Sequence, residues 1–266
     1  MPVYTISELK DKDSIRVFLE RDKGYAAYAL GDLEPPYDAH ATWHGAHVDD
    51  ELEGVALIYG GLEPPALFLM GGNPAVSALL MYGVGPNEVY FTARPEQQPL
   101  LEMWYTLTKP TAMYRMRVTK EKYKPGEESK FPIRRLGPDD LEDVNAFFEL
   151  GAEADERIIA FTAQQVEDGF FHGIHLEEKL IAAAGTHLVA KQAKMGALGN
   201  VLTHPDYRGK GLGSATSNAV AAALFEEGIE TIVLNVAQDN QPALKIYEGL
   251  GFERVGPFVE GQAKRH

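Results

Sequence analysis

The chain has 266 residues, of which 45% are hydrophobic and 24% charged, and it contains no cysteine. This composition is typical of a folded globular protein, and it excludes a disordered chain, disulfide bonds and thiolate metal sites. Lysine and arginine number 25 against 39 aspartate and glutamate, and the net charge of −14 argues against nucleic acid and membranes as partners.

Apolar spacing predicts helices and strands in both halves of the chain. In the first half, we expect helices at 13–20 and 74–82 and strands at 52–59 and 66–70. In the second half, we expect a helix at 139–150, a hairpin at 170–175 and 179–188 with its turn at Glu177-Glu178, a strand at 197–203, a helix at 214–226, a strand at 231–236 and a helix at 241–250.

A charged segment with a Pro125-Gly126 turn signal separates the halves. We interpret 120–130 as a linker between a first domain, 1–119, and a second domain, 131–266. A shift of 143 positions places Gln98-Pro99 on Gln241-Pro242, and the strand-like run 89–91 on 232–234. This match predicts an internal duplication.

Four side chains of the first half, His40, Trp43, His44 and His47, invite a metal-site interpretation because two histidines are four residues apart. However, Gly45 and Pro35-Pro36 would interrupt a helix that could align them. We therefore predict a surface loop and no metal.

The segment from Asn200 to Ser214 combines a strand, a turn with three glycines at alternate positions, and the start of a helix. Free amides and the helix dipole at such a start attract phosphate, and glycine leaves room for it. The segment lacks the Gly-Lys-Ser/Thr of a Walker loop. A dinucleotide-binding oxidoreductase is a weaker alternative, because Thr216 replaces the third glycine and no acid closes the next strand.

Two motifs resemble one family. The run Val201-x-Thr203-x-Pro205-x-Tyr207-Arg208-Gly209-Lys210-Gly211-Leu212-Gly213 resembles the acetyl-CoA signature of the GNAT N-acetyltransferases, Arg/Gln-x-x-Gly-x-Gly/Ala. The later run from Asn240 through Tyr247 to Gly251-Phe252 resembles the closing pattern of the family. The resemblance covers 131–266 well and the first half only in outline. It implies an α/β fold of two GNAT-like domains, each a central mixed sheet flanked by helices.

The resemblance also implies roles for individual residues. The pyrophosphate of acetyl-CoA would lie on the amides of Arg208, Gly209, Lys210, Gly211, Leu212, Gly213 and Ser214. The backbone of Val201, Leu202 and Thr203 would pair with the pantetheine arm, with a backbone N–H near Leu202 stabilising the oxyanion. Tyr247 would protonate the departing thiolate, and Asn240 and Ala243 would contact the cofactor. The alternatives are a core aromatic at Tyr247 and a helix N-cap at Asn240.

The general base is not evident from the sequence. Many family members carry a glutamate at the position of Ala197, and no carboxylate replaces it here. The candidates elsewhere are bulk water and the side chains of His187, His172, His175, Glu153 and Asp155.

The first half lacks the corresponding parts. At the same shift, the apolar run 65–70 lies where 208–213 stand, and Trp104 lies where Tyr247 stands. We therefore predict a degenerate first domain that does not bind CoA.

Taken with the motifs, these features predict an acetyl-CoA-dependent N-acetyltransferase. It would transfer the acetyl group directly to a primary amine of a small molecule or peptide, without a metal. No export signal follows Met1, so we expect a cytoplasmic protein, and a homodimer is an open alternative. Because Ala197 replaces the usual base, the alternative function is a catalytically inactive CoA-binding sensor or interaction module.

Overall fold

The computed structural model describes residues 3–126, 129–153, 161–167 and 169–266. The chain forms two compact units. The first unit consists of Met1–Arg115 and Val255–His266, and the second of Met116–Arg254. Each unit contains its own helices and a mixed β-sheet, which confirms the predicted α/β class.

The first part of the chain contains six strands and four helices within the described residues. In order they are β1 (Thr5–Leu9), α1 (Lys12–Glu20), α2 (Ala27–Gly31), β2 (Ala41–Val48), β3 (Glu51–Tyr59), β4 (Ala66–Gly71), α3 (Asn73–Met81), β5 (Glu88–Ala93), α4 (Gln98–Glu102) and β6 (Tyr105–Thr119).

The second part of the chain contains six strands and four helices, again within the described residues. They are β7 (Ile133–Arg135), α5 (Leu141–Glu153), α6 (Ala163–Glu167), β8 (His172–Leu176), β9 (Lys179–Ala190), β10 (Met195–Thr203), α7 (Leu212–Glu226), β11 (Thr231–Ala237), α8 (Gln241–Gly249) and β12 (Glu253–Arg265).

In the first unit, the sheet order is β1-β2-β3-β4-β5-β12. The first four strands are antiparallel neighbours, β4 and β5 are parallel, and β12 pairs antiparallel with β5. Helix α3 lies against this sheet because its Val76, Leu79 and Leu80 are fully buried with Leu67 and Phe91 of the strands.

In the second unit, the sheet order is β11-β10-β9-β8-β7. Only β10 and β11 are parallel among these pairs, so this sheet is mixed as well. Strands β8 and β9 form the predicted hairpin. Its turn residues Glu177 and Glu178 have φ values of 47° and 68°, the left-handed conformation that a two-residue hairpin turn requires.

The domain boundaries differ from the predicted ones. The last twelve residues belong to the first unit because β12 pairs with β5, with Val259 opposite Ala93. The charged segment 120–126 packs within the second unit, where the Lys124 amide donates to the Leu250 carbonyl at 3.0 Å and the Tyr123 hydroxyl donates to Asn218 at 2.6 Å. Its described residues are therefore part of a folded unit and not a free linker.

The histidine cluster of the first half is wrongly predicted as a loop. Trp43, His44 and His47 lie in β2, whose two neighbours are β1 and β3. Gly45 lies within this strand and does not interrupt it. A Cβ at this position would collide with the side chains of Leu9 and Leu52, each 2.8 Å away. The glycine is required by close packing and not by a turn.

Candidate active site

The parallel pair β10–β11 separates part of the way along its length. Residues 195–197 of β10 lie opposite 231–233 of β11, and the pairing then stops although both strands continue. On its other side β10 remains paired with β9 as far as Thr203, opposite Ala182. Among the described residues, 198–203 therefore have one edge without a strand partner, and this open edge can bind an extended ligand through backbone hydrogen bonds.

Bulges bend β10 at the point where it leaves β11. The register with β9 shifts between Gly199 and Leu202, and the intervening Asn200 has a φ of 52°. The buried Asn200 amide donates to Gln165 of α6 at 2.9 Å, and the Gln165 amide donates to the His187 carbonyl of β9 at 3.0 Å. A side-chain network therefore holds the bend in place.

The direction of the backbone amides changes one prediction. The His204 amide donates to the Ile181 carbonyl at 2.9 Å, so the amide of Leu202, two residues earlier, also points to β9. Leu202 is therefore not placed to contact an oxyanion at the open edge. The Thr203 amide points the other way, and the Thr203 carbonyl accepts a hydrogen bond from Arg208 Nε at 3.2 Å. Thr203 replaces Leu202 as the candidate.

A glycine-rich turn follows β10. After the single turn Pro205–Tyr207, Gly209 and Gly211 adopt φ values of 73° and 78°, a left-handed conformation that favours glycine. A Cβ at either glycine would meet nothing within 4 Å, so the space beside the turn is open. Gly211 is the N-cap of α7, a helix of 15 residues, and the amides of its first turn have no partner within the helix.

Two exposed cations flank this turn. Lys210 Nζ lies 4.7 Å from the centre of the Tyr207 ring, and Arg208 follows the single turn that contains Tyr207. With the helix dipole, they make the start of α7 locally positive in a chain with a net charge of −14. The turn can therefore hold a diphosphate.

Tyr247 is a buried aromatic and Asn240 is a helix N-cap, as the alternative interpretations of the two residues predict. Tyr247 is 7% exposed, its ring packs against Phe252 at 5.8 Å, and burial raises its pKa to about 12 despite the opposing effect of the Ser217 hydroxyl of α7. The Asn240 side chain caps α8 by accepting from the Ala243 amide at 3.2 Å. Their roles toward a cofactor remain predictions.

The candidate bases lie in different places. Ala197, which replaces the glutamate that many GNAT proteins carry, is 1% exposed within the sheet. Burial lowers the pKa of His172 on β8, and His175 contacts Arg134 at 3.2 Å. A Cβ at Gly199 of β10 would collide with the His187 ring, so this histidine lies beside the open edge. The further candidates are Glu153, whose side chain lies outside the described part, and Asp155, which lies outside the described residues.

Metal-binding groups and membrane-spanning helices are both absent from the described residues. No group of three or more histidine, aspartate or glutamate side chains in this part of the chain is arranged to hold a metal ion. No helix within it is long and apolar enough to span a bilayer.

The chain is similar to known proteins in sequence and in fold. Residues 124–252 match the acetyltransferase (GNAT) family. A mycothiol acetyltransferase of Corynebacterium aurimucosum is 47% identical over 47 residues, which is 18% of this chain and 16% of that protein. The matched segment therefore spans less than a fifth of this curated relative.

Solved structures resemble the whole chain at low identity. A GCN5-related N-acetyltransferase from Sphaerobacter thermophilus has a TM-score of 0.66 at 15% identity, covering 98% of this chain and 95% of that one. A tandem GNAT protein from the clavulanic acid biosynthesis pathway has a TM-score of 0.59 at 14% identity, covering 99% and 98%. Residues 124–252 form a domain of the GNAT acetyltransferase family, which confirms the resemblance of the two sequence motifs.

Proposed function

We propose that the second unit is an acetyl-CoA-dependent N-acetyltransferase that transfers the acetyl group directly to a primary amine of a small molecule or peptide. One observation carries this proposal. The open edge of β10 leads directly into the glycine-rich turn before α7, so a backbone-pairing site and an anion site are continuous along the chain. Family membership supports acyl transfer in general.

The residues at this site suit acetyl-CoA. Gly209 and Gly211 leave open space beside the free amides of α7, where a diphosphate would be held. By prediction, the Val201 backbone would pair with an amide group of the pantetheine arm. Arg208 and Lys210 would contribute charge at the entrance. The sequence contains no cysteine, so no acetyl-cysteine intermediate can form, and direct attack of the amine on the thioester is the route we propose.

Tyr247 suits the role of proton donor. Its phenol is protonated at neutral pH, since burial raises its pKa to about 12 from a value that is already well above 7, and a departing thiolate needs a proton within hydrogen-bond reach. The Thr203 amide would stabilise the negative charge that develops on the carbonyl oxygen. Both roles are consistent with α8 and β10 belonging to the same unit.

Calorimetric titration of acetyl-CoA tests the binding site. We expect binding by the wild type and a loss of roughly 100-fold or more in affinity for Gly211→Glu, because a carboxylate beside the diphosphate costs several kcal/mol. Gly228→Glu is the matched control. Gly228 has a φ of 90°, an added Cβ meets nothing within 4 Å, and it lies beyond the opposite end of α7.

Each outcome has a separate meaning. Equal weakening by both substitutions would indicate damage to α7 and not a phosphate site. A wild type that does not bind acetyl-CoA would refute the proposal. Binding without release of free thiol from acetyl-CoA, whether the acceptor is an amine or water, would identify a CoA-binding module without catalysis.

A further inference from the structure

His187 occupies a special position in β9. Leu188 lies opposite Ala197 and Thr186 lies opposite Leu198, so His187 is the extra residue of a bulge. Its ring lies against Gly199 of β10, where a Cβ on residue 199 would collide with it. The ring is therefore accommodated by a glycine two residues beyond the last β10–β11 pair, at the start of the open edge.

The packing of α7 shows on which face of the sheet His187 lies. A Cβ at Gly196 would lie 3.0 Å from Leu224 of α7, so residue 196 faces α7. Side chains alternate along a strand, and residue 199 therefore faces the other side. His187 lies on this second face, opposite the helix whose N-terminus forms the candidate diphosphate site.

Asn235 of β11 lies on the same face, because it follows Val233 by two residues and Val233 is opposite Ala197. The Asn235 Oδ1 atom is buried and has no hydrogen-bond partner in the described part of the protein. Such an acceptor favours a ligand that brings an N–H group. The two strands thus present an imidazole and an unsatisfied carbonyl oxygen beside the gap between them.

The backbone of His187 is fixed relative to the open edge. Its carbonyl accepts from Gln165, and Gln165 in turn accepts from Asn200 in the bulge of β10. The bulges of β9 and β10 are therefore joined through α6, and two hydrogen bonds hold the His187 backbone beside the open edge.

We propose that His187 is the general base of the transfer, an inference that rests on the proposed function. If the acyl donor enters from the side of α7, the acceptor approaches from the opposite face, where His187 lies. The neutral imidazole removes a proton from the ammonium form of the acceptor, and the freed amine forms a C–N bond with the thioester carbonyl. The C–S bond then breaks and Tyr247 protonates the thiolate. The second proton of the attacking nitrogen, released as the amide forms, returns through water to the Tyr247 phenolate, and the imidazolium returns its proton to water.

The test compares His187→Gln with His175→Gln, the same substitution on the neighbouring strand β8. The acceptors are benzylamine, which is an ammonium ion at neutral pH, and aniline, which has a similar shape and is already neutral. Thiol release from acetyl-CoA is measured with each amine and with water alone, and calorimetry with acetyl-CoA verifies that binding is intact.

We expect His187→Gln to slow the reaction of benzylamine by about 100-fold, since general base catalysis typically contributes at least this much. The reaction of aniline should change by less than about fivefold, because no ammonium proton has to be removed. His175→Gln should leave both rates near those of the wild type. If the wild type uses neither amine, hydrolysis is the readout, and His187→Gln should slow it to a similar degree.

A second substitution leaves the imidazole in the protein. Gly199→Ala introduces a methyl group where the ring lies, so the ring must move, and we expect the same selective loss with benzylamine. If His187→Gln binds acetyl-CoA normally but its rate of thiol release falls equally with both amines, or with neither, the assignment of the base is overturned while the proposed function stands. A wild type that binds acetyl-CoA but never releases thiol would overturn the proposed function as well.

Discussion

The two units share an order of elements but differ at the place where a cofactor would bind. The first contains β4-α3-β5-α4-β6 and the second part of the chain contains β10-α7-β11-α8-β12. In both, the first two strands are parallel and paired over three residues, 66–68 with 90–92 and 195–197 with 231–233. Both pairs then separate, so within the described parts of the chain each unit has an open strand edge.

The connection after the open edge distinguishes the two units. In the second unit, residues 204–211 join β10 to α7 and contain the two left-handed glycines. In the first unit, Gly72 alone joins β4 to α3, with an ordinary φ of −73°. At this connection the described residues of the first unit therefore contain no loop that could surround a diphosphate.

Side chains occupy part of the open edge in both units. In the first unit, the Tyr25 hydroxyl donates to the Leu69 carbonyl at 3.2 Å and the Gln97 amide donates to the Gly71 carbonyl at 2.9 Å. In the second unit, Arg208 Nε donates to the Thr203 carbonyl at 3.2 Å. The loop that follows the edge, and not the occupation of its carbonyls, is therefore what distinguishes the two units.

The largest expected difference between the units is catalytic. Tyr247→Phe removes the candidate proton donor and should lower kcat by about 100-fold with little change in the affinity for acetyl-CoA. Trp104→Phe, at the corresponding position of the first unit, should leave kcat unchanged. Initial rates of thiol release and calorimetry measure both variants. A full rate for Tyr247→Phe would make this tyrosine a core aromatic only.

The same tyrosine gives a pH dependence of stability. Its pKa is about 12 in the folded protein and about 10 when unfolded, so the folded form holds the proton more tightly. This contribution to stability is complete below pH 10 and is lost as pH rises toward 12. Urea unfolding at pH 8 and pH 11 should show a smaller alkaline loss for Tyr247→Phe than for the wild type. Equal losses would contradict the raised pKa.

A smaller effect concerns the occupied edge of the first unit. Gln97→Ala leaves the Gly71 carbonyl without its donor and should lower the free energy of unfolding by about 1–3 kcal/mol. Gln98→Ala, which removes only an exposed hydrogen bond to Glu102, is the control. Calorimetry should find one acetyl-CoA per chain for the wild type and for Gln97→Ala. Two bound molecules in either protein would show that the missing loop is not required.

The smallest effect separates the two interpretations of Asn240. As an N-cap only, Asn240→Ala should cost about 1 kcal/mol of stability and leave the affinity for acetyl-CoA unchanged. Asn240→Asp should retain the cap and the stability. Thermal unfolding and calorimetry are the measurements, and a tenfold weaker affinity for both variants would instead indicate a direct cofactor contact.

Local patterns in the sequence predicted most elements because they depend on neighbouring residues. The hairpin at Glu177-Glu178 and the glycine-rich start of α7 are examples, since turn geometry and positive φ restrict residue choice. The shift of 143 positions places β5 on β11 and Gln98 on Gln241 correctly. It wrongly places 65–70 on 208–213, because an ungapped shift cannot represent the deletion of the loop between β4 and α3.

The remaining features depend on contacts that are distant in sequence. The bulge that places His187 against Gly199 results from the register of β9 with β10, and register is not visible in the composition of either strand. The direction of the Leu202 amide has the same origin. The β2 strand was missed because Gly45 resembles a turn signal, whereas the glycine is required by side chains packed against it.

The return of residues 255–266 to the first unit has a consequence for synthesis. A ribosome completes Met116–Arg254 as one continuous stretch, but the first unit still lacks β12 when its first 115 residues have emerged. Until residues 259–264 leave the exit tunnel, the β5 edge with which they pair is exposed to other chains. The unit whose synthesis begins first is therefore completed after the second unit, and during that interval its unpaired edge is open to aggregation.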